Sequence, residues 1–138
     1  MPSLPVITEL DAARIRELGS RLPADVRNLD ELDALIDMVT GEAEIVPGSR
    51  IAADIVTVNS RVTFLDQFTA TVHTVTVVYP QEFSIDQRRI SLLSPVGRAL
   101  LGRRAGELAT VSMPDGTERR IRLLELHYQP EAAGDLTL

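Results

Sequence analysis

Apolar residues recur at helical spacing near the start of the chain. Ala12, Ile15, Leu18, Gly19 and Leu22 fall on one face of a helix expected from about Thr8 to Leu22. Thr8 followed three residues later by Asp11 resembles a capping box, with Asp in place of the usual Glu. Pro23 ends the run. Asn28 is placed to cap a second helix with Glu31 at its third position. Leu29, Leu32, Ile36 and Val39 form its apolar stripe, and Asp30, Asp33 and Asp37 line another face. Two such helices joined by "LPADVRN" predict an antiparallel helical hairpin, with "VPGSR" (46–50) as its exit.

From Ile55 the period changes to two. In "VTVNSRVTF", Val56, Val58, Ser60, Val62 and Phe64 alternate with Thr57, Asn59, Arg61 and Thr63, which predicts one strand with a wet face. "TVHTVTVVY" (71–79) reads as a second strand whose apolar phase slips between Val72 and Val75, as a bulge allows. "RISLL" reads as a third. A short helix opens at Ser94-Pro95 and closes at Gly102. "ELATVSM" and "RRIRLLELHY" follow, joined by "PDGT", where Asp-Gly signals a hairpin. The last strand changes phase between Leu123 and Leu124. The class is α+β: an N-terminal helical hairpin (1–50) and a mostly antiparallel sheet of about five strands with one short helix (51–138).

Charge divides the chain the same way. Residues 1–54 hold eleven acids and five arginines, residues 55–138 nine of each, so the net −6 sits in the N-terminal third. Such an arm repels phosphate and favours cations or a basic protein surface. Every basic residue is arginine. Cysteine is absent, which excludes disulfides and thiol chemistry. No apolar run nears the roughly 20 residues that cross a bilayer, and the N-terminus has no basic start or apolar signal core, so a cytoplasmic protein without a membrane partner is expected.

Candidate chemistry is sparse. His73 and His127 stand apart without cysteines, whereas zinc takes about four ligands, so no metal or cofactor is expected. The pairs Arg88-Arg89, Arg103-Arg104 and Arg119-Arg120 lie in a neutral region with few aromatics to stack bases; protein contact or solvation is favoured over sequence-specific nucleic-acid binding. The acidic face of the second helix is a docking surface or a solvated one, and Asn59-Ser60-Arg61 either binds a partner or satisfies backbone groups. No phosphate-cradling glycine loop is present.

"SPVGRALLGRRAGEL" (94–108) closely resembles a segment of the C-terminal domain of Gre transcript-cleavage factors, where a Ser-Pro turn opens a short helix. With "VTVNSRV" (56–62), "VYP" (78–80) and the tail "LEL.YQPEAAGD" (124–135), the pattern resembles the Rnk subfamily, the regulators of nucleoside diphosphate kinase. The resemblance implies an FKBP-like C-terminal domain behind a short coiled coil, docked at the rim of the secondary channel of bacterial RNA polymerase. It implies a core role for Leu100 and Leu101 with Val96, and polymerase docking through Ser94, Pro95, Val96, Gly97 and Arg98. Gre hairpins are longer and carry two adjacent tip acids that hold magnesium. Here the tip region offers Asp25, with Asp30 and Glu31 on the second helix, so transcript cleavage is not expected. The function expected is non-enzymatic: a polymerase-binding regulator that competes with Gre-type factors. The alternatives are a partner or regulator of nucleoside diphosphate kinase and an FKBP-type peptidyl-prolyl isomerase, the latter disfavoured by the lack of an aromatic-walled pocket signature.

Overall fold

The computed structural model describes residues 4–21, 29–113 and 115–135, with backbone alone at 19–21 and 29–31. Strand β1 (Val6–Thr8) leads directly into helix α1 (Glu9–Arg21), and helix α2 (Leu29–Asp37) runs on into a π turn over Met38–Glu42. In that turn Ala43 N–H donates to Met38 O at 2.8 Å, and the Thr40 hydroxyl bonds back to Ile36 O. Strand β2 (Glu44–Val46) then pairs in parallel with β1. Neither short strand was expected; three residues carry too little periodicity to register.

The main sheet holds β3 (Arg61–Asp66), β4 (Thr71–Val78), β5 (Arg89–Ser91), β6 (Leu108–Ser112) and β7 (Glu118–Tyr128), in the order β5-β4-β3-β7-β6. Helix α3 (Pro95–Leu100) connects β5 to β6. Three of the four pairings are antiparallel, while β4 and β5 run parallel. The expected hairpin at "PDGT" is present: the Asp115 carboxylate accepts from Thr117 N at 2.9 Å and from its hydroxyl, and Gly116 takes φ +87°.

Two expectations about the strands are corrected. The run from Val56 to Phe64 is not one strand. Asn59 adopts φ +72°, Ser60 N–H bonds back to Thr57 O, and pairing begins only at Arg61. The alternation fails there because Val56, Thr57, Val58 and Ser60 are all buried. The phase slip in β4 is not a bulge either, since its register against β3 is unbroken from Arg61↔Thr76 to Asp66↔Thr71. Val72 is simply exposed, and Val77 and Val78 are buried as the strand runs inward. The phase change in β7 is real: its register against β3 shifts between Thr63 and Phe64 and again between Arg61 and Val62.

One apolar cluster joins both parts of the chain. Ala12, Ile15 and Leu18 of α1 and Leu32, Leu35 and Val39 at α2 share it with Val62, Phe64, Val77, Leu100, Ile121 and Leu123. The buried stripe of α2 includes Leu35, and Ile36 is only half-buried, a slight rotation from the expected stripe. Leu100 and Leu101 are fully buried.

Candidate partner-docking site

Helix α3 is built to hold a tight turn at its N-terminus. Ser94 is the N-cap: its Oγ accepts from Gly97 N at 3.1 Å and donates to Ser91 O at 2.6 Å. Pro95 follows at the first helical position, where its missing N–H costs nothing. A Cβ on Gly97 would run into the Ser91 carbonyl oxygen, so the helix sits this close to β5 only because residue 97 has no side chain. Arg98 donates through Nη1 to Leu93 O at 3.1 Å, fastening the entry from the other side. Ser94, Pro95, Val96 and Arg98 are half-buried and Gly97 is buried. The helix exit is equally tight. Gly102, at φ +82°, leaves no room for a Cβ against Pro5 and the Val6 nitrogen, and its carbonyl accepts from Val6 N at 3.1 Å.

Val96 overhangs a small cavity of about 260 Å³ whose other walls are Phe64, Asp66, His73, Val75 and Ile90. The only ring systems there are Phe64 and His73, tilted together with centroids 5.4 Å apart. His73 also shares a hydrogen bond with the Thr71 hydroxyl, and His127 one with that of Thr63. Among the described residues no three His, Cys, Asp or Glu side chains converge as a metal site.

The acidic N-terminal part is anchored through Asp11. Thr8 Oγ1 accepts from Asp11 N at 3.1 Å, which is half of the expected capping box. The Asp11 carboxylate does not complete the box. It reaches across the core instead, accepting from Val58 N at 3.1 Å and from the Tyr79 hydroxyl at 2.8 Å. The residue is 2 % exposed, and burial raises its pKa above the usual aspartate value despite these donors. Burial, then the charge of Asp11, raises the Tyr79 pKa too. Arg14 lies over the Tyr79 ring, 5.9 Å from its centroid.

The tail packs beneath the same joint. Gln129 is buried, donating to Ala52 O and Ile55 O at 2.8 and 2.7 Å and accepting from Ala132 N. Glu131 Oε1 accepts from the Thr57 hydroxyl at 2.7 Å, and Thr57 in turn bonds Ser60. Ser60 of the Asn59-Ser60-Arg61 triplet is thus absorbed in local backbone and hydroxyl bonding, and Asn59 in the turn itself; only Arg61 is exposed.

Of the expected tip residues, Asp25 lies outside the described residues. Asp30 and Glu31 fall in the first turn of α2, while Asp33 and Asp37 further along are exposed. Sequence reasoning missed the cavity under Val96 and the partners of Asp11, which lie 47 and 68 residues away in the chain. A lone acid at a helical position that otherwise faces apolar residues was the one available signal.

The family described as transcription elongation factor, GreA/GreB, C-terminal, matches residues 51–128. The regulator of nucleoside diphosphate kinase of Escherichia coli (strain K12) is 37% identical over 134 residues, 96% of each chain. The transcription elongation factor GreA of Chelativorans sp. (strain BNC1) is 29% identical over 118 residues, 86% of this chain and 74% of that one. A solved GreA/GreB elongation factor from Nitrosomonas europaea superposes with a TM-score of 0.69 at 33% identity, covering 93% of this chain and all of its own. On this shared sequence and fold, the chain belongs to the GreA/GreB family of transcription elongation factors, on the branch of the regulators of nucleoside diphosphate kinase.

Proposed function

We propose that this chain is a non-catalytic accessory protein of bacterial RNA polymerase, acting in the cytoplasm. Residues 51–138 serve as an FKBP-like docking domain that sits on the rim of the secondary channel through Ser94, Pro95, Val96, Gly97 and Arg98. Residues 1–50 serve as a short helical hairpin, a stubby coiled coil whose acidic face enters the channel mouth. Asp25, Asp30 and Glu31 lie at or near its tip. It excludes Gre-type factors because two ligands cannot share one rim, and it cleaves no transcript.

The observation that carries this reading is the α3 entry. Ser94, Gly97 and Arg98 lock a half-exposed Pro95-Val96 edge into one conformation, and preorganised edges lose little entropy on docking. The N-terminal charge supports it, since residues 1–54 carry a net −6, which favours a basic protein surface as partner. The test is co-purification of core polymerase with the Pro95→Ala/Arg98→Glu double variant, its fold checked by circular dichroism. Loss of polymerase from a folded variant is expected; undiminished binding removes the docking face.

A second reading rests on the name of the 37%-identical relative, which assigns that protein a regulatory link to nucleoside diphosphate kinase. Pull-down from a bacterial lysate separates the two, with polymerase subunits recovered under the first reading and the kinase under the second. An isomerase gains no support, because such a site is an apolar pocket walled by aromatics, and the depression beside Val96 carries one phenyl ring.

A further inference from the structure

Several arginines are engaged. Arg104 pairs with Asp54, Arg119 with Asp66 and the Phe68 ring, and Arg98 and Arg122 hold backbone carbonyls. Arg61, Arg88 and Arg89 lie together. They line one open groove of about 660 Å³ on the outer face of the sheet, with Thr74, Thr76 and Gln87 between them and no acid in the lining. The strand registers explain the convergence. Arg89 on β5 and Arg61 on β3 flank Thr76 on β4 in one cross-strand row, so their backbones stand roughly 10 Å apart on the same face. All three are exposed in a chain whose net charge is −6.

The third arginine is held by a strained backbone. Arg88 takes φ +55°, a left-handed conformation that is costly without glycine, and it is fixed from both sides. Its N–H donates to Ile85 O at 3.1 Å, and its carbonyl accepts from Thr76 N at 2.9 Å. The groove is not a vacancy for an added strand: Ser84 already exchanges both backbone hydrogen bonds with Arg89, and Ser91 O accepts from Ser94. What the groove offers is side chains: the arginine, threonine and glutamine polar groups, with Val72 and Val75 beside them.

From this we propose that the groove of Arg61, Arg88 and Arg89 binds an oligophosphate, a ligand carrying two or more linked phosphoryl groups. Guanidinium forks with intervening hydroxyl and amide donors match phosphoryl oxygens by charge-assisted hydrogen bonds. Two such groups in a row at this spacing select a chain of phosphates over a single one. Tyr128, opposite Arg61 in register and 41% exposed, stands at the end of the row, where a base attached to the phosphates would lie. The inference is independent of polymerase docking, which uses the α3 entry.

The test is calorimetric titration of the full chain with inorganic tripolyphosphate, ATP and an acidic hexapeptide as separate arms. Tripolyphosphate is expected to bind, and to bind about ten-fold more weakly to Arg61→Gln/Arg89→Gln and to Arg88→Gln. Arg16→Gln, which removes the same single charge as Arg88→Gln but on exposed α1, is expected to bind like the parent chain. Thermal unfolding of each variant checks the fold. Equal affinity for tripolyphosphate and ATP assigns recognition to the phosphates alone, and tighter ATP adds the Tyr128 ring; both support the site. No phosphate binding, peptide binding in its place, or binding that is indifferent to the groove variants overturns it.

Discussion

Replacing Asp11 tests how the acidic arm is joined to the sheet. Asp11→Ala removes the acceptor for two buried donors, Val58 N–H and the Tyr79 hydroxyl. A buried donor left unmade costs about 1–3 kcal/mol, so the pair would cost about 2–6 kcal/mol. Part of that returns, because the raised pKa shows the charged carboxylate is itself held against desolvation. The expected net loss is about 2–4 kcal/mol by urea unfolding at pH 7. Asp11→Asn keeps an acceptor for Val58 and a polar group for Tyr79 without the charge, so its loss is expected to stay within about 1 kcal/mol. The two variants also separate by pH. The pKa of Asp11 is higher folded than unfolded, so the folded state binds more protons between those two values. Its contribution to stability is full below the unfolded value and falls away as pH rises through the folded one. The parent chain should therefore gain on Asp11→Asn as pH drops from 7 into the carboxylate range. If Asp11→Ala unfolds within about 0.5 kcal/mol of the parent chain, or both variants lose equally, the carboxylate does not carry the joint.

Three further outcomes follow from contacts in the same region. Gly97→Ala drives a methyl into the Ser91 carbonyl and should cost about 1–3 kcal/mol in thermal unfolding, whereas Ser94→Ala removes the cap and the half-buried bond to Ser91 O without a clash and should cost about 1 kcal/mol. Equal losses would mean that the close approach is relieved elsewhere. Gln129→Ala strands Ala52 O and Ile55 O, and hydrogen exchange at residues 130–135 should quicken well before global unfolding. Unchanged exchange there would show the tail held by something else. Glu131→Gln keeps the acceptor for Thr57 while removing the charge that helps raise the Asp11 pKa, so the Asp11 carboxyl, followed by NMR, should titrate at lower pH; no movement would remove that charge as a cause.

Features set by near neighbours could be read in the sequence. Thr8 opens α1 because a cap acts within a turn, and Asp-Gly marks the β6–β7 hairpin for the same reason. The face change of β7 showed as a broken alternation at Leu124, and the structure places a register shift there. What remained hidden depends on distant partners. The Asp11 carboxylate looked like the second half of a capping box, but Val58 N and the Tyr79 hydroxyl outcompete the local N–H. Val56 to Ser60 alternates like a strand, yet it is a buried turn because the tail and α1 cover both its sides. The parallel pairing of β5 rests on three residues, too few to show a period. The α3 entry was legible through Ser94-Pro95 and the spaced glycines, while the cavity beneath Val96 draws its walls from three separate strands.

The most direct trial of the docking proposal is competition on polymerase itself. Core RNA polymerase carrying a fluorescently labelled GreA factor is titrated with the unlabelled full chain, and the bound GreA is followed by anisotropy. Docking at one shared rim predicts complete displacement, one chain for each factor released, with the Pro95→Ala/Arg98→Glu variant displacing none. Simultaneous residence of both proteins on one polymerase would contradict it.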